Sequence, residues 1–215
     1  MGDEAIDGSK VGTKLIMFVA IIGLVLVAFL VGKNLINKGV DSMEQSAQSI
    51  DESRFSDYNG KTVRGRAVRT AVDNFANDDV AILINNIAMN DSAGSSEINS
   101  LKSDGANIVT VTGAKGSMES SSSSSGFTTV SNPQCVNYVA VLDATSISAA
   151  EGEAVYDKDF KTDSTGTIER YMKKQNFQKK GQIEYIADSG SYKCSLIRNK
   201  SKEIVGIICI QQPVY

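Results

Sequence analysis

LIMFVAIIGLVLVAFLV, residues 15–31, contains no charge and no strongly polar side chain, and Lys14 and Lys33 bracket it. At about 1.5 Å per residue, with Gly32 included, the stretch makes a helix roughly 27 Å long. That length is close to the roughly 30 Å hydrocarbon thickness of a bilayer. A backbone in hydrocarbon must satisfy its own hydrogen bonds, and a single segment does so only as a helix. The reading is a transmembrane helix over residues 14–32, anchored through Leu15, Phe18, Ile22, Leu26, Phe29 and Val31. The remainder of the chain is then a tethered domain.

Working outward on the N-terminal side, residues 1–13 are polar and nearly charge-balanced, with Asp3, Glu4 and Asp7 against Lys10 and the amino terminus. They read as a non-globular tail. The apolar run exceeds the about 7–15 residues of a cleaved signal's apolar core, and no small-x-small cleavage site follows it, so a retained anchor is expected. Lys10 and Lys14 before the run nearly balance Lys33 and Lys38 after it, which leaves the positive-inside rule almost neutral. A short tail ahead of a large domain suits a single-pass signal anchor in the cell membrane with its C-terminal domain outside.

On the other side, Leu35, Ile36, Val40, Met43, Ala47 and Ile50 recur at spacings near three and four. This single apolar stripe prolongs the helix as a stalk over residues 33–56. Gly39 weakens it by about 1 kcal/mol relative to Ala. The stripe either packs on the chain's own domain or forms a seam for self-association.

The domain proper, residues 57–215, opens on the turn signal Tyr58-Asn59-Gly60. In TVRGRAVRTAVDNFAN, Val63, Ala67, Val68, Ala71, Val72 and Phe75 share one helical face, and Arg64, Arg66, Arg69 and Asp73 largely take the other. VAILINNIAM follows as a buried strand. The string YNGKTVRGRAVRTAVDNF with its apolar strand resembles a pattern in small single-span proteins of Gram-positive bacteria. The layout of apolar helix, stalk and β-rich head resembles type IV pilins and pseudopilins, a resemblance of architecture only. The chain lacks the pilin Gly-Phe processing junction with a Glu five residues into the apolar stretch; its first Glu after the span is Glu44.

Residues 90–132 read as loop-rich, with SAGSSE, a short strand ANIVTVTG, and a flexible Ser-rich loop over 115–132 around the run 120–125. CVNYVAVLDAT suggests a central strand, and a helix is expected near residues 167–174. QIEYIAD, SYKCSLIRN and EIVGIICIQQ close the chain as three strands separated by short turns. The expected class is therefore α+β: an N-terminal transmembrane helix with a stalk extension, then a small domain of antiparallel β-meander covered by an amphipathic helix.

Chemistry is sparse. The hydrophobic content of 41% includes the membrane run, and the net charge of −3 gives no basic face for nucleic acid. Histidine is absent, which removes the commonest general base and metal ligand together. Cys135, Cys194 and Cys209 form no C-x-x-C pair. Cys194 and Cys209 flank a hairpin turn, so they either bridge across it or fill strand positions as small apolar groups. Lys61, Arg64, Arg66 and Arg69 could touch anionic headgroups or simply form a solvated helix face. Asp78-Asp79 and Asp157 with Asp159 lack the spacing of a calcium loop and read as caps or turns.

No catalytic residue, metal site or cofactor is expected. The leading expectation is a membrane-anchored, non-enzymatic surface or envelope protein acting by protein–protein contact, for instance an appendage or secretion-machine accessory subunit. Its partners would be the lipid bilayer and either other proteins or copies of itself, with no nucleic acid. The alternative is a membrane-tethered ligand-binding or sensing domain with a concave site.

Overall fold

The computed structural model describes residues 3–90, 92–119, 127–149, 153–171 and 174–213. Two compact units divide the chain, residues 1–50 and 51–215. The first unit is helix α1, Asp3–Phe55, whose last turn already belongs to the second. Helix begins within the segment read as a polar, non-globular tail and continues without a break through the stalk. The part Thr13–Met43 is long and apolar enough to cross a membrane, and Leu24 and Phe29 are 72% and 68% exposed. Such a helix is compatible with a membrane anchor or a signal sequence. Leu35, Ile36, Val40 and Met43 are likewise exposed; the side chains of Ala47 and Ile50 lie outside the described residues.

In the second unit the strands are β1 Thr62–Arg64, β2 Ala81–Asn85, β3 Ile108–Thr112, β4 Lys115–Glu119, β5 Phe127–Ser131, β6 Gln134–Asn137, β7 Ser146–Ser148, β8 Ala154–Tyr156, β9 Ser191–Asn199 and β10 Ile204–Gln212. Helices α2 Gly65–Asn74, α3 Ser92–Ser103 and α4 Lys174–Phe177 and a 3-10 turn at Ile87–Asn90 complete it. The main sheet runs β1-β9-β10-β2-β6-β3-β7-β8, and β8 returns to pair with β9. The sheet is thus a closed barrel. β1 and β8 share one edge of β9, with β1 against Ser191–Lys193 and β8 against Ile197–Asn199.

Closure overturns the expected antiparallel meander. β9 and β10 do form the antiparallel hairpin that their sequences suggest, but β10 is parallel to β2, β3 to β7, and β8 to β9. The cause lies in β10 itself. Ile207 and Cys209 face an outer core with α2, while Ile208 and Ile210 face the barrel interior. A strand buried on both faces is central, so it needs a neighbour on each edge. Its second neighbour, β2, lies far back in the chain, and parallel pairing requires such a crossover. Gly206 makes the pairing possible: a Cβ there would lie 2.8 Å from the Ala81 carbonyl oxygen and 2.9 Å from Ile197 Cδ1.

Two cores result. Inside the barrel, Leu83, Val109, Val111, Cys135, Ile147 and Ile197 pack with Ile208 and Ile210. Outside, Val68, Ala71 and Val72 of α2, with Phe75 at its C-terminal cap, pack on Ile82, Leu196 and Ile207, as the periodicity of the segment demands. Phe55, from the last turn of α1, stacks on Phe75 at 4.8 Å between ring centroids.

Other local expectations also change. QIEYIAD forms no strand; Glu184 and Ile186 are buried in turns and loop, with Ile186 N–H donating to Phe177 O at 3.0 Å. The helix expected at 167–174 gives way to bridges Thr162↔Ile168 and Ala140↔Arg170, with α4 following. CVNYVAVLDAT is regular strand only through Asn137. SAGSSE belongs to helix α3, which buries Ile98. Within the segment expected to be a Ser-rich loop, β4 and β5 pair as an antiparallel hairpin, whereas the run 120–125 lies outside the described residues.

Candidate functional site at the barrel mouth

β2 and β10 run side by side from the end where Val80 and Ile204 lie near Phe55 towards Asn85 and Gln212 at the other end. At that second end the barrel opens into a cavity of about 140 Å³. Its floor is Ile208, Ile210 and Ala149, each nearly inaccessible to solvent. Its rim carries Lys115, Lys193, Ser195 and Gln212, with Gly113 and Ala114 completing the wall.

Strand alternation puts these groups together. On β9, Tyr192, Cys194 and Leu196 face the outer core, so Lys193, Ser195 and Ile197 turn towards the barrel interior. Ser195 is the register partner of Ile208, and Lys193 of Ile210, which sets polar and apolar groups side by side across the hairpin. The opposite wall is the turn from β3 into β4. Gly113 adopts φ 78°, a left-handed conformation that glycine takes without a Cβ penalty. Its N–H donates to Asn132 Oδ1 at 3.3 Å, clamping the base of the β4–β5 hairpin. Ala149 N–H donates to Thr112 O at 2.7 Å, which fixes the third wall.

Behind the rim the scaffold is a satisfied amide network. Asn85 and Asn90 exchange reciprocal amide hydrogen bonds of 3.0 Å, and Asn85 Nδ2 also donates to Gln134 O at 2.7 Å. Tyr192 Oη donates to Asn86 Oδ1 at 2.7 Å, and Asn86 Nδ2 to Ile183 O at 2.9 Å. Burial, then the nearby Tyr185, push the Tyr192 phenol upward, so it stays a neutral donor at physiological pH.

The charge of the mouth is of one sign. Its lining includes two lysines and no carboxylate. Neither Lys115 nor Lys193 has an ion pair among the described residues. Concavities near the other end of the barrel are lined instead by mixed charge, Arg54 with Asp78 and Asp79 in one, Lys158 with Asp159 and Glu203 in another. The mouth can hold an anionic head over hydrocarbon. Among the described residues no side-chain hydrogen bond joins Ser195 to either lysine, and the lining holds no carboxylate or imidazole.

The residues singled out in the sequence lie elsewhere. Cys194 and Cys209 face each other across β9 and β10 as a disulfide, with Cα atoms 4.2 Å apart. Cys194 N–H donates away from β10, to Lys61 O, so this is the close, non-hydrogen-bonded kind of cross-strand pair. The basic cluster is divided. Lys61 pairs with Asp57 at 3.7 Å and Arg69 with Asp188 at 2.6 Å, while Arg64 and Arg66 are exposed. Asp78 meets Arg54 at 2.5 Å, Asp79 pairs with Arg170, and Asp157 meets Lys200 at 2.9 Å. Among the described residues no group of three or more His, Cys, Asp or Glu side chains is placed to hold a metal ion.

Lys115 and Lys193 escaped the sequence reading because only the tertiary fold, which sets the β4–β5 hairpin beside β10, brings them to one cavity. The alternation of SYKCSLIRN was legible, but its polar face reads as solvent-facing unless the sheet is known to close. No known protein family matches the chain, and no curated protein and no solved structure matches it.

Proposed function

We propose that this chain is a membrane-tethered, non-catalytic binding domain, held at the bilayer by α1 and recognising a small ligand at the barrel mouth. The observation that carries the reading is a concave mouth with an apolar floor and convergent polar groups of one charge sign, the usual anatomy of a ligand site. Apart from α1, the only large apolar side chain that is well exposed among the described residues is Val155, at 66% exposure. That favours a ligand at the mouth over an apolar docking face on the barrel. In this reading the domain lies outside the cell, and the chain is a single-pass protein of the cell membrane.

The test uses the full chain in lipid nanodiscs with isoleucine methyl groups labelled for NMR. Mixtures of small acids, amines, amides and sugars are added, and the methyl signals of Ile208 and Ile210 are followed. At least one chemical class should move both signals while Ile82, in the outer core, stays still. If no class moves them, the mouth is not a ligand site, and the partner-contact reading of an envelope or appendage subunit takes its place.

A further inference from the structure

We propose that the ligand of the mouth is a small organic monocarboxylate with a short, unhydrated body. The inference rests on reading the mouth as a ligand site, and it names the chemistry from three properties of the lining.

The first property is size. A cavity of about 140 Å³ is close to the roughly 150 Å³ apolar cavity that takes up benzene, and well below the about 300–1,000 Å³ of sites for larger ligands. The body buried on Ile208, Ile210 and Ala149 is therefore about six carbons, branched or aromatic.

The second is sign. With Lys115 and Lys193 on the rim and no carboxylate in the lining, a cation is repelled and a neutral head leaves the strongest available interaction unused. Ser195 hydroxyl and Gln212 amide add neutral donors beside the lysines. The third is the kind of donor. A hydrated phosphate dianion is commonly held by arginine forks or by backbone N–H groups at a helix N-terminus or nest. The lining has no arginine and no helix terminus. Lysine is a compact point charge suited to a single carboxylate at the edge of an apolar floor.

The test titrates the full chain, in nanodiscs of phosphatidylcholine so that the bilayer carries no net charge. The probes are benzoate, 4-methylpentanoate, benzamide, benzylammonium and inorganic phosphate. Benzoate or 4-methylpentanoate should saturate the Ile208 and Ile210 methyl shifts. Benzamide should bind about tenfold more weakly, the weight of one charge-assisted hydrogen bond. Benzylammonium should leave the signals unmoved. Lys115→Gln and Lys193→Gln should each weaken benzoate about three- to tenfold, with thermal unfolding unchanged because both side chains are exposed.

The carboxylate assignment is overturned if benzamide equals benzoate, if phosphate competes benzoate away more tightly than either acid binds, or if both lysine variants bind benzoate as the parent does. In each of those results the Ile208 and Ile210 signals still move, so the mouth survives as a site with a different ligand. If no probe, charged or neutral, moves either methyl, the carboxylate assignment fails together with the mouth as a site for ligands of this size. The two failures are thus told apart by the same spectra.

Discussion

Cys135 sits in the barrel interior among Leu83, Val109 and Val111, fully inaccessible to solvent. Burial raises its thiol well above the ordinary range, so almost no thiolate exists at neutral pH. Iodoacetamide should leave Cys135 unmodified in the native chain and label it fully in denaturant, as read by mass spectrometry. Asp163 is the opposite case, exposed but organised. Its Oδ1 accepts from Thr165 Oγ1 at 2.7 Å, from Thr165 N–H at 2.9 Å and from Thr167 N–H at 3.0 Å. The Thr165 hydroxyl first, then the N–H groups of Thr167 and Thr165, hold the carboxyl below the usual aspartate range. A lowered native pKa means that its contribution to stability is present above the unfolded-state value near 3.9 and disappears as pH falls through the native value. Carboxyl carbon shifts should place the native midpoint below that of an unstructured aspartate, and Thr165→Ala should move it back upward.

At the scale of elements, the disulfide ties the central β9–β10 hairpin across a sequence separation of 15. In the chain-entropy account, closing a loop of that size contributes about 3 kcal/mol by restricting the unfolded chain. The double replacement Cys194→Ala with Cys209→Ala should therefore lower unfolding free energy by about 2–4 kcal/mol in urea titrations. It should leave the β content by circular dichroism as it was, since eight register pairs, three between β9 and β1 and five between β10 and β2, do not include the bridge. Helix α2 was readable from one pattern because local periodicity decides which face it buries. Helix α3 was not, for Ser92–Ser103 has few apolar residues, and Ile98 is the one that it buries fully. Its place in the fold comes from where it packs.

For the molecule as a whole, the proposed reading makes the apolar run of α1, which is long enough to cross a membrane, the membrane anchor. Leu24 and Val25 sit near the middle of the run and are exposed. Leu24→Arg with Val25→Arg puts two charges near the bilayer centre, each costing about 2.5–3.5 kcal/mol on insertion scales. The variant should shift from the carbonate-washed membrane pellet to the supernatant, whereas the parent chain should stay in the pellet. Protease added to intact cells should remove a C-terminal tag from the parent; protection until lysis would place the domain in the cytoplasm and overturn the proposed topology.

Several properties followed from the amino-acid order alone, because they depend on neighbours in sequence. These are the long apolar helix, the amphipathic face of α2, the burial of β2, and the β9–β10 hairpin, whereas the register that sets Cys194 opposite Cys209 was not legible there. The helical period and the strand alternation act within a few residues, so composition and spacing suffice to read them. Barrel closure, the parallel pairing of β10 with β2, and the placing of Lys115 and Lys193 around one cavity were decided only by tertiary structure. Parallel pairing joins segments far apart in the chain, and no local pattern records which distant strand will lie alongside. Closure also reverses the meaning of alternation: the polar face of β9, which looked like the solvent side, becomes the rim of an interior cavity.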